Sequence, residues 1–353
     1  MGTESVEASF LSIFALMSFF VFLILSKYSH NFLTGVMLDK DFSKPQAFHE
    51  TPITRSGGLG VMISLIIFFG IYYILFSKIL YDYILISLSM FLIGFLDDLR
   101  INIKPQNRLI LMILLLFCFI YFLPIKVLNI DFPFLKFLTD NHLLSSFFVL
   151  LCFLFVVNGA NLIDGFNGLL SINLLLINFI LAYININNAN LEFSFLLIAQ
   201  IIILLSFLLF NFPNAKIFLG DSGAYLIGSL VSLNVIITNN LNPKISSFFF
   251  CTLLFYIFFE VFFFFFRKII QKKSPIYPDG NHLHMLSYYK ISKIFGKEKA
   301  NFLNSIFINI VYFILVIPGL LFIDSPILSR YWFFLLLLIY VIIYSRLYRL
   351  TKN

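Results

Sequence analysis

Apolar residues run through this chain in long blocks, and the polar residues fall mostly between them. Blocks long enough to cross a bilayer, about 17–25 residues each, lie near 8–28, 58–77, 83–97, 109–125, 145–161, 169–187, 193–211, 222–237, 245–266, 303–323 and 330–345. Eleven membrane-spanning helices are predicted, of which the third, eighth and eleventh are short. The first block has the position of a signal peptide. No small-residue cleavage site follows it, so it is expected to be retained. The pattern predicts an all-α polytopic membrane protein, a single domain over residues 1–353 with its distinctive polar segments between 39 and 300.

Composition agrees with that pattern. The 353 residues are 61% hydrophobic and 12% charged, against roughly 45–50% and 25% in ordinary globular domains, and the mean hydropathy is +0.99. So little polar surface excludes a soluble enzyme, a disordered chain and a disulfide scaffold. Cys118, Cys152 and Cys251 lie in apolar runs with no metal-site spacing, and buried small apolar roles are expected of them.

The net charge of +7 is read as topology rather than nucleic-acid binding, because basic residues collect in cytoplasmic loops. With the N-terminus outside and the C-terminus inside, only Lys78, Lys126, Lys136, Lys244 and Arg330 of the 24 Lys and Arg residues fall outside. The same orientation brings His49, Asp97, Asp98, Asn161, Asp164, Asp221, His282 and His284 to cytoplasmic span ends. The longest outside connection, about 126–144, reads as an interfacial loop. A transporter is disfavoured, because transport sites usually lie near midplane within repeated halves, whereas these polar clusters share one edge.

Four polar clusters carry candidate chemistry. Adjacent Asp97 and Asp98 close a span; they suit divalent-ion and substrate contacts, or simply the start of a solvated loop. Asn158, Asn161 and Asp164 follow an i, i+3, i+6 spacing on one helical face, suited to a nucleotide or metal-bound phosphate, or to a helix cap and turn. Asp221 and Ser222, between Gly220 and Gly223, suit a helix cap or a metal-bound diphosphate. The segment 267–300 carries Arg267, Lys268, His282 and His284, suited to a sugar phosphate or to anionic lipid headgroups. His282 and His284, at i and i+2, would share a face only in extended structure. Glu260, inside a predicted span, is a costly carboxylate and therefore a suspected functional group.

Read in order, Lys44-Pro-Gln-Ala-Phe-His49, Pro52-Ile-Thr-Arg-Ser-Gly-Gly58, Asp97-Asp98, Asn161 with Asp164, Gly220-Asp221-Ser222-Gly223 and His282-Leu-His284 resemble the polyprenyl-phosphate N-acetylhexosamine-1-phosphate transferases. The resemblance covers nearly the whole chain and agrees with eleven spans and an outside N-terminus. It implies a multi-pass enzyme of the bacterial cytoplasmic (inner) membrane that transfers sugar-1-phosphate from a UDP-N-acetylhexosamine to undecaprenyl phosphate and releases UMP. Magnesium is the implied metal, with manganese as a substitute, and a homodimer is implied by resemblance alone.

The same resemblance gives roles to residues. Asp97, Asp98 and Asp221 are the implied catalytic group, Asp97 as base toward the lipid phosphate. Asp221, with Asp98 and Asn161, is implied to hold the metal. His49, Arg55, Asn161, Asp164, Asn167, Arg267, His282 and His284 are implied to contact substrate. The Pro-Ile-Thr-Arg-Ser-Gly-Gly segment and the short histidine motif, with Met285 after His284, look more like the branch initiating O-antigen and enterobacterial common antigen. The alternative is the branch of phospho-N-acetylmuramoyl-pentapeptide transferase in peptidoglycan synthesis. Direct attack and a covalent aspartyl intermediate both remain open.

Overall fold

The computed structural model describes residues 2–32, 36–39, 52–101, 103–123, 125–274 and 279–352. It is an α-helical polytopic membrane protein. In chain order the elements are α1 (Gly2–Phe32), β1 (Leu38–Asp39), β2 (Ile53–Thr54), α2 (Gly57–Phe76), α3 (Tyr81–Asp98), α4 (Pro105–Phe122) and α5 (Phe137–Asp140). They continue with α6 (His142–Ile163), α7 (Leu169–Asn187), α8 (Leu191–Asn211), α9 (Gly220–Leu241), α10 (Ser247–Leu253), α11 (Phe255–Ile270), α12 (Leu283–Phe295), α13 (Lys297–Val316) and α14 (Pro326–Lys352).

Nine helices among the described residues are long and apolar enough to cross a bilayer, and the α10–α11 pair, bent by 74°, would make ten. The third predicted block coincides with α3, an 18-residue helix that carries Asp82, Asp97 and Asp98. Local chemistry sets several helix starts. Asn141 accepts the Leu143 and Leu144 N–H groups at 2.9 and 3.2 Å at the head of α6. Pro105 opens α4, where the absent N–H costs nothing. The 126–144 connection is tied down rather than free: Asp131 accepts the Ser247 N–H at 2.6 Å, and its carbonyl accepts from Arg330 at 2.9 Å.

Helix α9 is the axis of the bundle, buried along nearly its whole length and packed against α2, α3, α6 and α7. Its midpoint is polar. Asn234 accepts the Tyr83 hydroxyl at 2.7 Å, and its amide nitrogen donates to Gln200 at 2.7 Å and Asn178 at 3.0 Å. Interhelical bonds of this kind join α3, α7, α8 and α9, each worth roughly 0.6–2 kcal/mol in a bilayer. The lipid-facing sides of α1, α4 and α14 are correspondingly apolar and exposed.

One feature departs from a purely helical fold. Strands β1 and β2 pair antiparallel, Leu38 opposite Thr54 and Asp39 opposite Ile53. Thr54 also bridges Ile217, and its carbonyl accepts the Phe218 N–H at 2.8 Å. The hairpin thus lies against the segment that leads into α9. Two glycines let the neighbouring helices close onto the same point. A Cβ on Gly58 would lie 2.2 Å from Ser222 Oγ, and one on Gly94 would lie 2.4 Å from the Ser222 backbone nitrogen.

Gly94→Ala is therefore expected to lower stability by about 1–3 kcal/mol through overpacking against fixed backbone. Gly70→Ala, where a Cβ meets nothing within 4 Å, is expected to be neutral or slightly stabilising. Thermal unfolding in detergent compares them; equal melting of the two variants would contradict the close approach of α3 and α9.

Candidate active site

The site forms at one end of the bundle, where α3 and α6 end and α4 and α9 begin. Asp98 is its innermost member, 1% exposed. Its Oδ1 accepts the Asp221 N–H at 3.1 Å; its Oδ2 accepts the Ser222 N–H at 3.0 Å and the Ser222 hydroxyl at 2.6 Å. A carboxylate from α3 therefore caps α9, using the N–H groups and positive dipole end that a helix leaves unsatisfied. Gly220 makes room: its φ is +76°, and a Cβ there would lie 2.6 Å from Asp98 Oδ2.

Two guanidinium groups lie among the carboxylates. Arg55, placed by β2, holds Asp39 at 2.7 Å and faces Asp98 at 3.7 Å and Asp221 at 3.9 Å. Arg108, on the first turn of α4, points one nitrogen at both Asp97 Oδ2 (2.9 Å) and Asp221 Oδ2 (2.8 Å). Tyr225, one turn beyond Asp221, extends its hydroxyl to Asp221 Oδ2 at 3.4 Å and accepts the Asn161 amide at 3.0 Å. The guanidinium of Arg108 also lies 5.4 Å from the Tyr225 ring centroid. Asp164 caps the C-terminal end of α6; burial, then the nearby Asp221 carboxylate, raises its pKa to about 8, with Arg55 opposing.

A second cluster is built on α11 and the head of α12. Arg267 grips Asp279 through two contacts of 2.9 Å, and Lys268 lies 3.3 Å from the same carboxylate. Burial alone would raise the Asp279 carboxyl, yet the Arg267 hydrogen bonds, the Asn281 N–H and the local positive charge hold it down at about 2. Glu260 meets His282 Nδ1 at 3.2 Å. The His282 and His284 rings stack 5.4 Å apart at 7°. They can do so because His282 precedes α12 in an extended conformation, φ −78° and ψ 153°, while His284 lies in the first turn. Phe166 connects the clusters, its ring 5.9 Å from that of His284 and its backbone in the loop after Asp164.

The expected residues are thus gathered in two groups: Arg55, Asp97, Asp98, Asn161, Asp164 and Asp221, and then Arg267, His282 and His284. Asn167 serves the loop, donating to the Pro213 carbonyl at 2.8 Å while its N–H meets Asn301. Asn158 turns back on its own helix to the Leu154 carbonyl. His49 and the segment 44–49 lie outside the described residues. Three participants had no place in the motif reading. Arg108 and Asp39 lie outside every sequence motif, and Tyr225 is signalled only by its i+4 spacing from Asp221.

Among the described residues, no group of three or more His, Cys, Asp or Glu is arranged to hold a metal ion. Asp98, expected as a ligand, has both oxygens engaged at the head of α9. Asp97 and Asp221 nevertheless present hard oxygens to a single positive centre, and a pair of carboxylates completed by waters and phosphates suits magnesium.

The family model described as Glycosyl transferase family 4 matches residues 79–239. That stretch contains Asp97, Asp98, Arg108, Asn161, Asp164 and Asp221. A phospho-N-acetylmuramoyl-pentapeptide-transferase of Dictyoglomus thermophilum is 29% identical over 236 residues, 62% of this chain and 72% of that protein. An undecaprenyl-phosphate alpha-N-acetylglucosaminyl 1-phosphate transferase of Thermotoga maritima is 28% identical over 280 residues, 79% of this chain and 81% of that protein. A phospho-N-acetylmuramoyl-pentapeptide-transferase of Clostridium perfringens is 31% identical over 153 residues, 41% of this chain and 48% of that protein. These relatives are bacterial, in keeping with a polytopic protein of the bacterial inner membrane.

Seven of eight relatives compared bear the pentapeptide-transferase name, and this overturns the expected leaning toward the O-antigen branch. The residues behind that leaning have structural duties. Ile53 and Thr54 form β2, Gly57 and Gly58 pack against the lead into α9, and Met285 is fully buried. Arg55, from the same segment, instead faces the site carboxylates.

The raised Asp164 carboxyl makes stability depend on pH. In the unfolded chain it ionises near 3.8, whereas in the fold it stays protonated to about 8, so stability falls as pH rises through that interval. In chelator-containing buffer, Asp164→Asn is expected to melt above the parent protein at pH 8, with the gap closing toward pH 4. A gap independent of pH would contradict the assignment.

Proposed function

We propose that this chain is a member of that transferase family and moves a sugar-1-phosphate from a nucleotide sugar to undecaprenyl phosphate, releasing the nucleoside monophosphate. The observation that carries this reading is the convergence of Asp97 and Asp221, from α3 and α9, on one nitrogen of Arg108 at 2.9 and 2.8 Å. Carboxylates and guanidinium groups so interleaved suit the handling of phosphates together with a divalent ion. Their place beyond the ends of apolar helices suits a substrate whose tail lies in the bilayer. The charge distribution favours the cytoplasmic face for this end.

The chemistry needs two anions to meet. An oxygen of the lipid phosphate attacks the sugar-linked phosphorus of the donor; a new P–O bond forms, the bond to the departing UMP breaks, and UMP keeps that electron pair. Arg55 and Arg108 offset the repulsion between the phosphates and orient them. Asp97, half-exposed beside Arg108, takes the proton from the minority of lipid phosphate that is a monoanion, since the second pKa of a phosphate monoester is near 6. Asp221, anchored by Tyr225 and aimed by the capped head of α9, and Asp97 are the residues that would hold magnesium, with Asn161 behind them through Tyr225. Magnesium held there would supply charge neutralisation to the reacting phosphates. The relatives' names favour a muramoyl-pentapeptide donor over a simple N-acetylhexosamine.

Purified protein with undecaprenyl phosphate, magnesium and separate UDP-N-acetylmuramoyl-pentapeptide and UDP-N-acetylglucosamine donors tests this. UMP release and a lipid product of matching mass are expected, with the pentapeptide donor preferred. No UMP from either donor would overturn the transfer reading, and preference for UDP-N-acetylglucosamine would overturn the donor assignment.

A further inference from the structure

Glu260 is a carboxylate within an apolar helix, and the proposed reaction leaves it without a task. It is 1% exposed on α11, and both its oxygens are directed at the head of α12. Oε1 accepts the Leu283 N–H at 3.1 Å, and Oε2 lies 3.2 Å from His282 Nδ1. The ring of Phe264, one turn along α11, packs 4.9 Å from the His282 ring and fixes its plane.

The other carboxylate near His282 is poorly placed to compete. Asp279 Oδ1 is 4.0 Å from His282 Nε2 and already accepts from Arg267 at 2.9 Å and the Asn281 N–H at 3.0 Å. His284 sits parallel behind His282, its Nε2 buried with no hydrogen-bond partner among the described residues. Burial, reinforced by His282, lowers its pKa to about 3 despite Glu260, so the stack does not carry two charges. One ring of the pair is thus held by Glu260, with its Nε2 on the side of the Asp279 carboxylate that Arg267 and Lys268 bind.

We infer that Glu260 is a positioning residue: it accepts the His282 Nδ1–H, fixes that tautomer, and leaves Nε2 to share a proton with a phosphate oxygen of the substrates. This rests on the transfer reading for its consequence, but not for its geometry. A carboxylate behind a histidine sets which ring nitrogen is bare and how the ring is aimed. Losing the carboxylate behind a metal-ligating histidine costs about 10–100-fold in activity or metal affinity, and an effect of that order is expected at His282.

Glu260→Gln separates this role from packing. Its carbonyl oxygen can still accept the Leu283 N–H, while its amide nitrogen donates to Nδ1 and so forces the proton onto Nε2. Nitrogen-15 spectra of histidine-labelled, substrate-free protein, assigned against His282→Asn, are expected to show Nδ1 protonated in the parent and Nε2 protonated in Glu260→Gln. The variant should also lose about 10–100-fold in kcat, with KM and melting temperature nearly unchanged. A bare Nδ1 in the parent protein would overturn the inference, and that spectrum decides even if the variant does not fold. Full turnover in a variant with the reversed tautomer would overturn it as well. Absence of transfer by the parent protein would count against the reaction, whereas the Nδ1 result would still judge Glu260.

Discussion

The carboxylate of Asp98 lies on the exposed N–H groups at the head of α9, and the rest of the site is arranged around that contact. A helix start inside a membrane protein carries unsatisfied donors and a partial positive charge. Here the acceptor comes from another helix rather than from the residue before the first turn. Two backbone N–H groups and the Ser222 hydroxyl converge on one side chain, which locks α3 to α9 and fixes where Asp221 points. Gly58, Gly94 and Gly220 supply the closeness that this docking requires.

Around it, the carboxylates of Asp39, Asp97, Asp98 and Asp221 alternate with the guanidinium groups of Arg55 and Arg108, while Asp164 stays protonated at neutral pH. Asp39, Asp98 and Asp221 surround Arg55, while Asp97 and Asp221 share Arg108. A buried charge without a partner is costly, so the protein supplies its own counterions. In the proposed reaction these side chains would exchange such partners for phosphate and a divalent ion. The second cluster repeats the device with Arg267 and Lys268 on Asp279. These two clusters hold the interleaved charges described above, while the core of α9 is joined to its neighbours by neutral side chains around Asn234.

The sequence made the helices legible because bilayer-length apolar blocks have few other solutions. It also located the convergent residues, since carboxylates at the ends of such blocks are few. Partners distant in sequence were hidden. Nothing local to Asp98 announces that its partner is Ser222, 124 positions on, and Arg108 looked like one more topological charge. The break at Leu254 and the strand pair were invisible because short turns and two-residue strands leave no periodicity. His282 and His284 seemed to need a strand; one extended residue ahead of a helix was enough. The branch was not legible because most of the motif residues that suggested it, Ile53, Thr54, Gly57, Gly58 and Met285, are packed inside the fold, and the relatives' names point the other way.

The capping of α9 by Asp98 is tested most directly by a double-mutant cycle on thermal stability, using Asp98→Asn, Ser222→Ala and the pair in metal-free, substrate-free protein. If the carboxylate and hydroxyl are bonded as found, the effects are non-additive, with a coupling of roughly 0.5–3 kcal/mol. Strict additivity, with Asp98→Asn alone leaving the melting temperature unchanged, would contradict the account.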